Sequence, residues 1–180
     1  MNNLISVVVT CYNHEKYIEQ CLRSIFNQTY RNIELIVLDD GSTDSSSEII
    51  QEVLKESPFA TTFESHENIG VVRTRNKGIN LLNGDYFIFV DSDDFLDDRY
   101  VEELYDCAIN HQADIVYCDL FNFEKNEVYL KAQEFELHSL LVSNYISNCS
   151  LVKNNFVNKR LPYHLMMSVP ARTKVLAVDQ

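Results

Sequence analysis

Residues 84–96 read GDYFIFVDSDDFL, an apolar run at 86–90 that stops abruptly at a cluster of carboxylate and hydroxyl side chains. Three more apolar runs occur at residues 5–9, 33–38 and 115–118. All four runs are nearly continuous rather than alternating, which is typical of strands covered on both faces of a parallel sheet. The sequence therefore predicts a buried sheet, and three of its strands end in polar residues.

Helical patterns lie between these runs. Apolar residues at 17, 18, 21, 22, 25 and 26 form one stripe, and residues 49–54 carry a second. Two more helices are predicted at 70–82 and after residue 98, and a weaker strand at 60–63. Ser42 or Thr43 is predicted to cap the second helix, and Asp97 or Asp98 the fourth. Alternating strands and helices predict a doubly wound α/β fold with a mostly parallel sheet flanked by helices.

The charge of the chain limits its partners. Its 180 residues carry 15 basic and 27 acidic side chains, a formal net charge of −12. Such a surface repels nucleic acid, which we therefore do not expect as a partner. It also repels a nucleotide diphosphate, so a ligand of that kind needs local positive charge or a bound cation.

The cysteines and the hydropathy indicate an intracellular setting. The five cysteines are odd in number and form no CxxC motif, so we expect reduced, buried thiols in a cytoplasmic protein. No run reaches the roughly 18 apolar residues of a membrane span. Association with the inner face of a membrane would then be peripheral.

The acidic cluster after the third apolar run predicts a metal site. Asp91 and Asp93 stand two residues apart on an extended segment and point the same way. Two such oxygen ligands, completed by phosphate oxygens and water, suit Mn²⁺ or Mg²⁺. The chain contains no GxGxxG or GxxxxGK[ST] motif, so a cation would have to neutralise the phosphates. The alternative is an acidic turn that caps the next helix through Asp94 or Asp97.

Two other strand ends carry candidate nucleoside contacts. Asp39 or Asp40 can accept the imide N–H of uracil or a ribose hydroxyl, and the alternative is a turn followed by a helix cap. Tyr12 can stack on a base and Thr10 can hydrogen-bond it, and the alternative for both is loop packing. Asn13 completes the first cluster.

Basic residues on the third predicted helix are candidates for the diphosphate. Arg73 and Lys77 share a face, while Arg75 points elsewhere. One of the three could reach a diphosphate, and the alternative is a solvated helix face.

Taken together, these motifs resemble glycosyltransferase family 2, a large group with the GT-A fold. The resemblance covers about residues 3–120 and weakens beyond them. It rests on five segments in the family's order: 7–13 (VVVTCYN), 17–29 with Ser24 and Gln28, 34–44 (ELIVLDDGSTD), 68–78 (NIGVVRTRNKG) and 84–96.

The resemblance implies a role for each cluster. It places the nucleoside on the first two strand ends, the diphosphate near the third helix, and the metal on the DxD segment. The residues expected to bind the nucleotide sugar are Thr10, Tyr12, Asn13, Asp39, Asp40, Arg75, Asn76, Asp91 and Ser92, with Asp91 and Asp93 as metal ligands.

The implied activity is metal-dependent, inverting transfer of a sugar from a nucleotide-diphosphate sugar, with UDP favoured, to a carbohydrate or lipid-linked hydroxyl. Surface polysaccharide synthesis is the expected setting, and a homodimer is possible. The domain boundaries implied are 1–120 for the nucleotide-sugar-binding core and 121–180 for an incomplete acceptor-side region, so the second half is expected to be short or truncated.

Two features of the sequence depart from the family pattern. Thr74 stands where the family usually has alanine, and no Glu-Asp pair follows Asp119, so no catalytic base is identified. A non-catalytic donor-binding or partner module is therefore the alternative function. A phosphoryl-transfer protein is disfavoured, because dehalogenase-like phosphatases carry their DxD on the first strand and here that strand ends in Thr10.

After residue 120 the secondary-structure pattern weakens. A hairpin is predicted over residues 121–130 and a helix over 134–142, while 144–180 show no strong period.

Overall fold

The computed structural model describes residues 3–122, 125–136 and 146–154, and the backbone of 175–178. A short 3₁₀ turn at Leu54–Glu56 follows the second helix. The other regular elements are β1 (Ile5–Cys11), α1 (Ile18–Phe26), β2 (Ile33–Asp39), α2 (Ser46–Val53), β3 (Ala60–Ser65), α3 (Val71–Leu81), β4 (Tyr86–Asp91), α4 (Tyr100–His111), β5 (Ile115–Cys118), β6 (Leu120–Asn122), β7 (Glu127–Leu130), β8 (Leu151–Lys153) and β9 (Val175–Val178).

In the described part of the chain, seven strands form one sheet in the order β3-β2-β1-β4-β8-β5-β9. All pairings are parallel except those of β8, which runs antiparallel to both β4 and β5. The predicted mostly parallel α/β sheet is therefore confirmed. The antiparallel β8 was not predicted, because three residues are too few to show a period.

The continuous apolar runs are explained by burial on both faces of the sheet. Val7 and Val9 of β1 pack with α1, α2 and α4 on one face, whereas Val8 packs with Ile79 of α3 on the other. Every residue of β1 is buried. No position on this strand therefore faces water until the strand ends.

Gly78 lies inside α3, where a glycine normally weakens a helix. A Cβ at this position would lie 2.7 Å from Val8 Cγ1 and 3.3 Å from Leu38 Cδ1. The missing side chain therefore lets α3 lie directly against β1 and β2, which brings the start of this helix close to the strand ends.

The predicted helix caps are confirmed only in part: directly before α4, Asp97 Oδ1 accepts a hydrogen bond from Arg99 N (3.0 Å). The second helix begins at Ser46 without a side-chain cap, and Ser42 Oγ accepts a hydrogen bond from Asn13 N (2.9 Å) instead. At the start of α4, the buried Gln28 Oε1 accepts from Val101 N (2.9 Å). Contacts between distant loops thus replace the predicted cap at α2 and add to the local contact of Asp97 at α4.

The region after residue 120 is only partly described. β6 and β7 form the predicted hairpin. Of the helix predicted at 134–142, residues 134–136 have no regular structure and 137–142 lie outside the described residues. Within the described helices, none combines the length and the apolar character that a membrane crossing requires.

Candidate functional site

The polar ends of β1, β2 and β4 meet at one edge of the sheet. Thr10 is opposite Asp91 in the register of β1 with β4, and Cys11 is opposite Asp39 in that of β1 with β2. Three of the predicted clusters are therefore brought together, because parallel neighbours end on the same side.

Asp91 is held by donors from three parts of the chain. Its Oδ1 accepts from Arg75 Nη2 (2.5 Å) and from Thr10 Oγ1 (3.4 Å). Its Oδ2 accepts from Asn148 Nδ2 (3.2 Å). The side chain is 31% exposed, so a carboxylate fixed by protein contacts still reaches solvent at this edge of the sheet.

Asp93 is more open than Asp91. Its side chain is 52% exposed, and its Oδ1 lies 3.9 Å from His14 Nδ1. Between the two aspartates, Ser92 is buried and its Oγ lies 2.7 Å from the same His14 nitrogen. His14 therefore holds the turn on which both carboxylates stand.

Sequence reasoning missed His14. It follows Asn13 directly at the end of β1, and a histidine beside a predicted ligand cluster was the available signal. Its packing also involves α1, since its ring meets that of Tyr17 edge to face at 6.0 Å between centroids.

A divalent cation fits the tip of β4 only if other ligands complete its shell. Among the described residues, no group of three or more His, Cys, Asp or Glu side chains is arranged to hold a metal. Asp91 and Asp93 offer hard carboxylate oxygens that are partly exposed at the tip of β4. Mg²⁺ and Mn²⁺ sites that bind phosphates commonly use one or two carboxylates in this way.

Asp94 follows Asp93 directly in the sequence, at the end of the acidic cluster. Partial desolvation and the negative charges of Asp91 and Asp93 raise the pKa of its carboxyl group from 3.8 to about 6. Cys149 Sγ lies 3.8 Å from its Oδ2. Folding therefore favours the protonated form of Asp94 in the absence of a cation.

Replacing Asp94 with asparagine is expected to stabilise the metal-free protein at high pH. Because the carboxyl group has a higher pKa in the folded state, its protonation stabilises the fold at a pH below the unfolded-state pKa of 3.8. This stabilisation is lost as the pH rises from 3.8 through the folded-state pKa of about 6. Thermal unfolding in EDTA should show Asp94→Asn melting about 1–3 °C higher at pH 8.0, and this difference should shrink steadily as the pH falls from about 6 towards 3.8. An equal rise in the exposed control Asp98→Asn would contradict this explanation.

Asp39 and Asp40 are almost fully buried and both hold loops. Asp39 accepts hydrogen bonds from Ser42 N (3.1 Å) and Ser65 Oγ (2.8 Å). Asp40 accepts from the backbone N–H groups of Ile69 (2.8 Å) and Gly70 (3.0 Å). A nucleoside contact by either carboxylate would have to share oxygens with these loops, which each oxygen's second lone pair permits.

After β1, Tyr12 is exposed and Asn13 is hydrogen-bonded to another loop. Tyr12 is 46% exposed, as a stacking side chain needs to be. Asn13 adopts a left-handed backbone (φ 55°), and its Oδ1 accepts from Thr43 N (2.7 Å). Asn13 therefore joins the loops after β1 and β2, so its predicted ligand contact would come in addition to a structural role.

The three basic residues of α3 differ in burial and in their ion-pair partners. Arg75 is buried, pairs with Asp91, and lies 5.8 Å from the centroid of the Phe89 ring. Arg73 is exposed, and Lys77 Nζ lies 3.9 Å from Glu64 Oε2. Of the three candidates, Arg75 is the one directed to the DxD segment, and the half-buried Asn76 follows it.

Replacing Arg75 with methionine tests the pair with Asp91. The variant keeps an unbranched apolar chain near Phe89 and removes the charge, so we expect a loss of roughly 2 kcal/mol, less than for a fully buried pair. Mn²⁺ should restore part of this stability in thermal unfolding, because a cation replaces the missing charge. Arg73→Met is the control, and an equal loss there would contradict the pairing.

Thr74 packs without disturbing α3. It is fully buried, and its Oγ1 donates to Gly70 O (3.2 Å). The departure from the family's usual alanine is therefore accommodated inside the helix.

The cysteines near the site are protonated thiols. Burial raises the pKa of Cys11, Cys21, Cys118 and Cys149, and no disulfide joins them. The expectation of reduced, buried cysteines is thus met for these four, while Cys107 is half-buried.

The family model described as Glycosyl transferase family 2 matches residues 6–166. Glycosyltransferase GlyA of Streptococcus pneumoniae is 42% identical over 127 residues, which are 71% of this chain and 18% of that protein. Glycosyltransferase GlyG of the same organism is 35% identical over 146 residues, 79% of this chain and 48% of that protein. The chain thus spans less than half the length of these relatives.

Solved structures share the fold. S. aureus TarS in complex with UDP-GlcNAc superposes with a TM-score of 0.79 at 20% identity, over 98% of this chain and 58% of that chain. The mannosyltransferase PcManGT from Pyrobaculum calidifontis, in complex with GDP-Man and Mn²⁺, gives 0.76 at 16% identity, over 100% and 56%. The predicted GT-A-type fold is confirmed.

Proposed function

Since this chain belongs to glycosyltransferase family 2, we propose that it binds a nucleotide-diphosphate sugar at the tips of β1, β2 and β4 and transfers the sugar to a hydroxyl acceptor. One observation carries the proposal. The tip of β4 presents the partly exposed carboxylates of Asp91 and Asp93 at one edge of the sheet, and the buried Arg75 guanidinium pairs with Asp91. A cation held by these carboxylates, together with the buried arginine, would offset the repulsion between the diphosphate and this acidic protein.

The nucleoside lies over the ends of β1 and β2. Tyr12 supplies an exposed ring for stacking, and Asp39 and Asp40 hold the surrounding loops in a defined shape. UDP is the favoured nucleotide, on the family resemblance and on the UDP-GlcNAc bound by the neighbour TarS. The GDP-Man bound by PcManGT makes a guanosine donor the alternative to test.

The diphosphate lies at the tip of β4 with Mn²⁺ or Mg²⁺. Asp93, as the more exposed carboxylate, would be the main protein ligand of the cation, and Asp91 would contact the cation or the ribose. The bound cation supplies Lewis-acid stabilisation of the leaving diphosphate. His14 orients the turn through Ser92, and Arg75 adds fixed positive charge to the leaving-group side.

The transfer itself is inverting: an acceptor hydroxyl attacks the anomeric carbon while the nucleoside diphosphate leaves. A carbohydrate or lipid-linked acceptor, a role in surface polysaccharide synthesis, and a cytoplasmic position at the inner face of a membrane are parts of this proposal. The second candidate is a donor-binding module without turnover. Among the 180 residues of this chain, no Glu-Asp pair follows Asp119.

A thermal-shift panel tests donor binding. UDP-glucose, UDP-galactose, UDP-GlcNAc and GDP-mannose are each added with Mn²⁺ or with EDTA. At 100 times its dissociation constant, a bound donor should add about 2.7 kcal/mol of stability. We expect one donor to raise the melting temperature with Mn²⁺ and not with EDTA. No shift with any donor would overturn the proposal.

Release of free nucleoside diphosphate from that donor separates the two candidates. Turnover that needs Mn²⁺ supports the transferase. Metal-dependent binding without turnover supports the donor-binding module.

A further inference from the structure

The antiparallel strand β8 brings an unexpected segment to the site. Because β8 runs opposite to β4, the residues before β8 lie at the same sheet edge as the residues after β4. In the strand order, β8 lies on the side of β4 away from β1 and β2. The chain just before Leu151 therefore borders Asp91 on the side opposite the nucleoside clusters.

Specific bonds hold this segment in place. Ser150 Oγ donates to Ser147 O (2.7 Å), which closes a turn. The buried Tyr100 hydroxyl donates to Cys149 O (3.0 Å), and Cys149 Sγ lies against Asp94. The turn is thus fixed both to α4 and to the DxD segment.

Asn148 is the residue that this turn presents. Ile146, Ser147, Cys149 and Ser150 are all buried, whereas Asn148 between them is exposed. Its Nδ2 donates to Asp91 Oδ2 at 3.2 Å. A buried turn therefore places one exposed amide at this edge of the sheet, in contact with the carboxylate proposed to border the cation.

We propose that Asn148 contacts the sugar of the donor and contributes to the choice of sugar. This inference rests on the proposed function. A donor whose base lies over β1 and β2 and whose diphosphate lies at β4 continues towards β8, where its sugar meets Asn148. An amide suits this role, because it carries both donors and an acceptor for hydroxyl groups.

Binding measurements on the full chain test this role. The panel donor that the wild type binds most tightly is titrated with Mn²⁺ into the wild type, Asn148→Leu and Asn148→Ala, and the matching nucleoside diphosphate is titrated in parallel. Leucine keeps the side-chain volume and removes the amide. Asn110→Ala, on the exposed face of α4, is the control.

We expect both Asn148 variants to bind the nucleotide sugar about tenfold more weakly, and the nucleoside diphosphate within about twofold of the wild type. Equal losses for the two ligands would overturn the inference, because Asn148 would then act only by positioning Asp91. Unchanged affinity for both would also overturn it. Failure of the wild type to bind any panel donor with Mn²⁺ overturns the proposed function itself, and this inference with it.

Discussion

Asp93→Ala is expected to weaken metal-dependent binding of the nucleotide sugar by about a hundredfold or more, the scale on which metal sites respond to loss of a ligand or its support. The Asp93 carboxylate is half exposed and approaches His14 at 3.9 Å, so its removal should leave the packing intact. Without it, the cation keeps only the Asp91 side of its protein shell. Isothermal titration with Mn²⁺ present measures the loss.

The control for this variant is Asp98→Ala. Asp98 is an exposed aspartate five residues further along the chain, and its backbone oxygen accepts from Thr29 N. Its replacement changes the net charge by the same amount. If both variants bound the donor equally well, or lost affinity equally, Asp93 would have no specific role and the metal site would lie elsewhere.

Gly41→Ala is expected to destabilise the fold by about 3 kcal/mol or more. Gly41 has a positive φ of 74°, and a Cβ there would lie 2.6 Å from Asn68 N and 2.9 Å from His66 O. Both neighbours are backbone atoms of the loop that Asp40 holds, so they cannot move aside cheaply. Chemical unfolding monitored by far-UV circular dichroism measures the loss.

Gly70→Ala separates the two causes of this effect. Gly70 also has a positive φ, 87°, but a Cβ there would meet no atom within 4 Å. Its replacement should cost about 1 kcal/mol, from backbone strain alone. If the two substitutions lowered the free energy of unfolding equally, the close contact between Gly41 and the backbone of residues 66–68 would not contribute to the effect.

The sheet and the meeting of the polar strand ends at one edge could be predicted because their causes are local. A strand such as β1 that is covered on both faces must be apolar at every position, and this leaves a continuous run that is easy to recognise. Where the run stops, the chain reaches solvent. Asp91 follows this rule, and Thr10 is its neighbour in the register of β1 with β4 because parallel strands end at the same edge, so their convergence could be expected from the sequence.

Other parts of the site depend on contacts that no local pattern records. Arg75 shared the basic helix with Arg73 and Lys77, and only the packing of α3, permitted by Gly78, directs Arg75 to Asp91. Asp40 looked like a ligand contact, yet its oxygens accept hydrogen bonds from the loop 29 and 30 residues later.

Residue types and their order were thus sufficient to establish the α/β class, the family resemblance and the DxD edge, since each follows from burial along a single strand. The turn that carries Asn148 depended on tertiary contacts. It reaches Asp91 across 57 positions of sequence because a three-residue strand enters antiparallel between β4 and β5. Such a placement is determined by the space between two other strands, and a short segment carries no periodicity of its own that could reveal it.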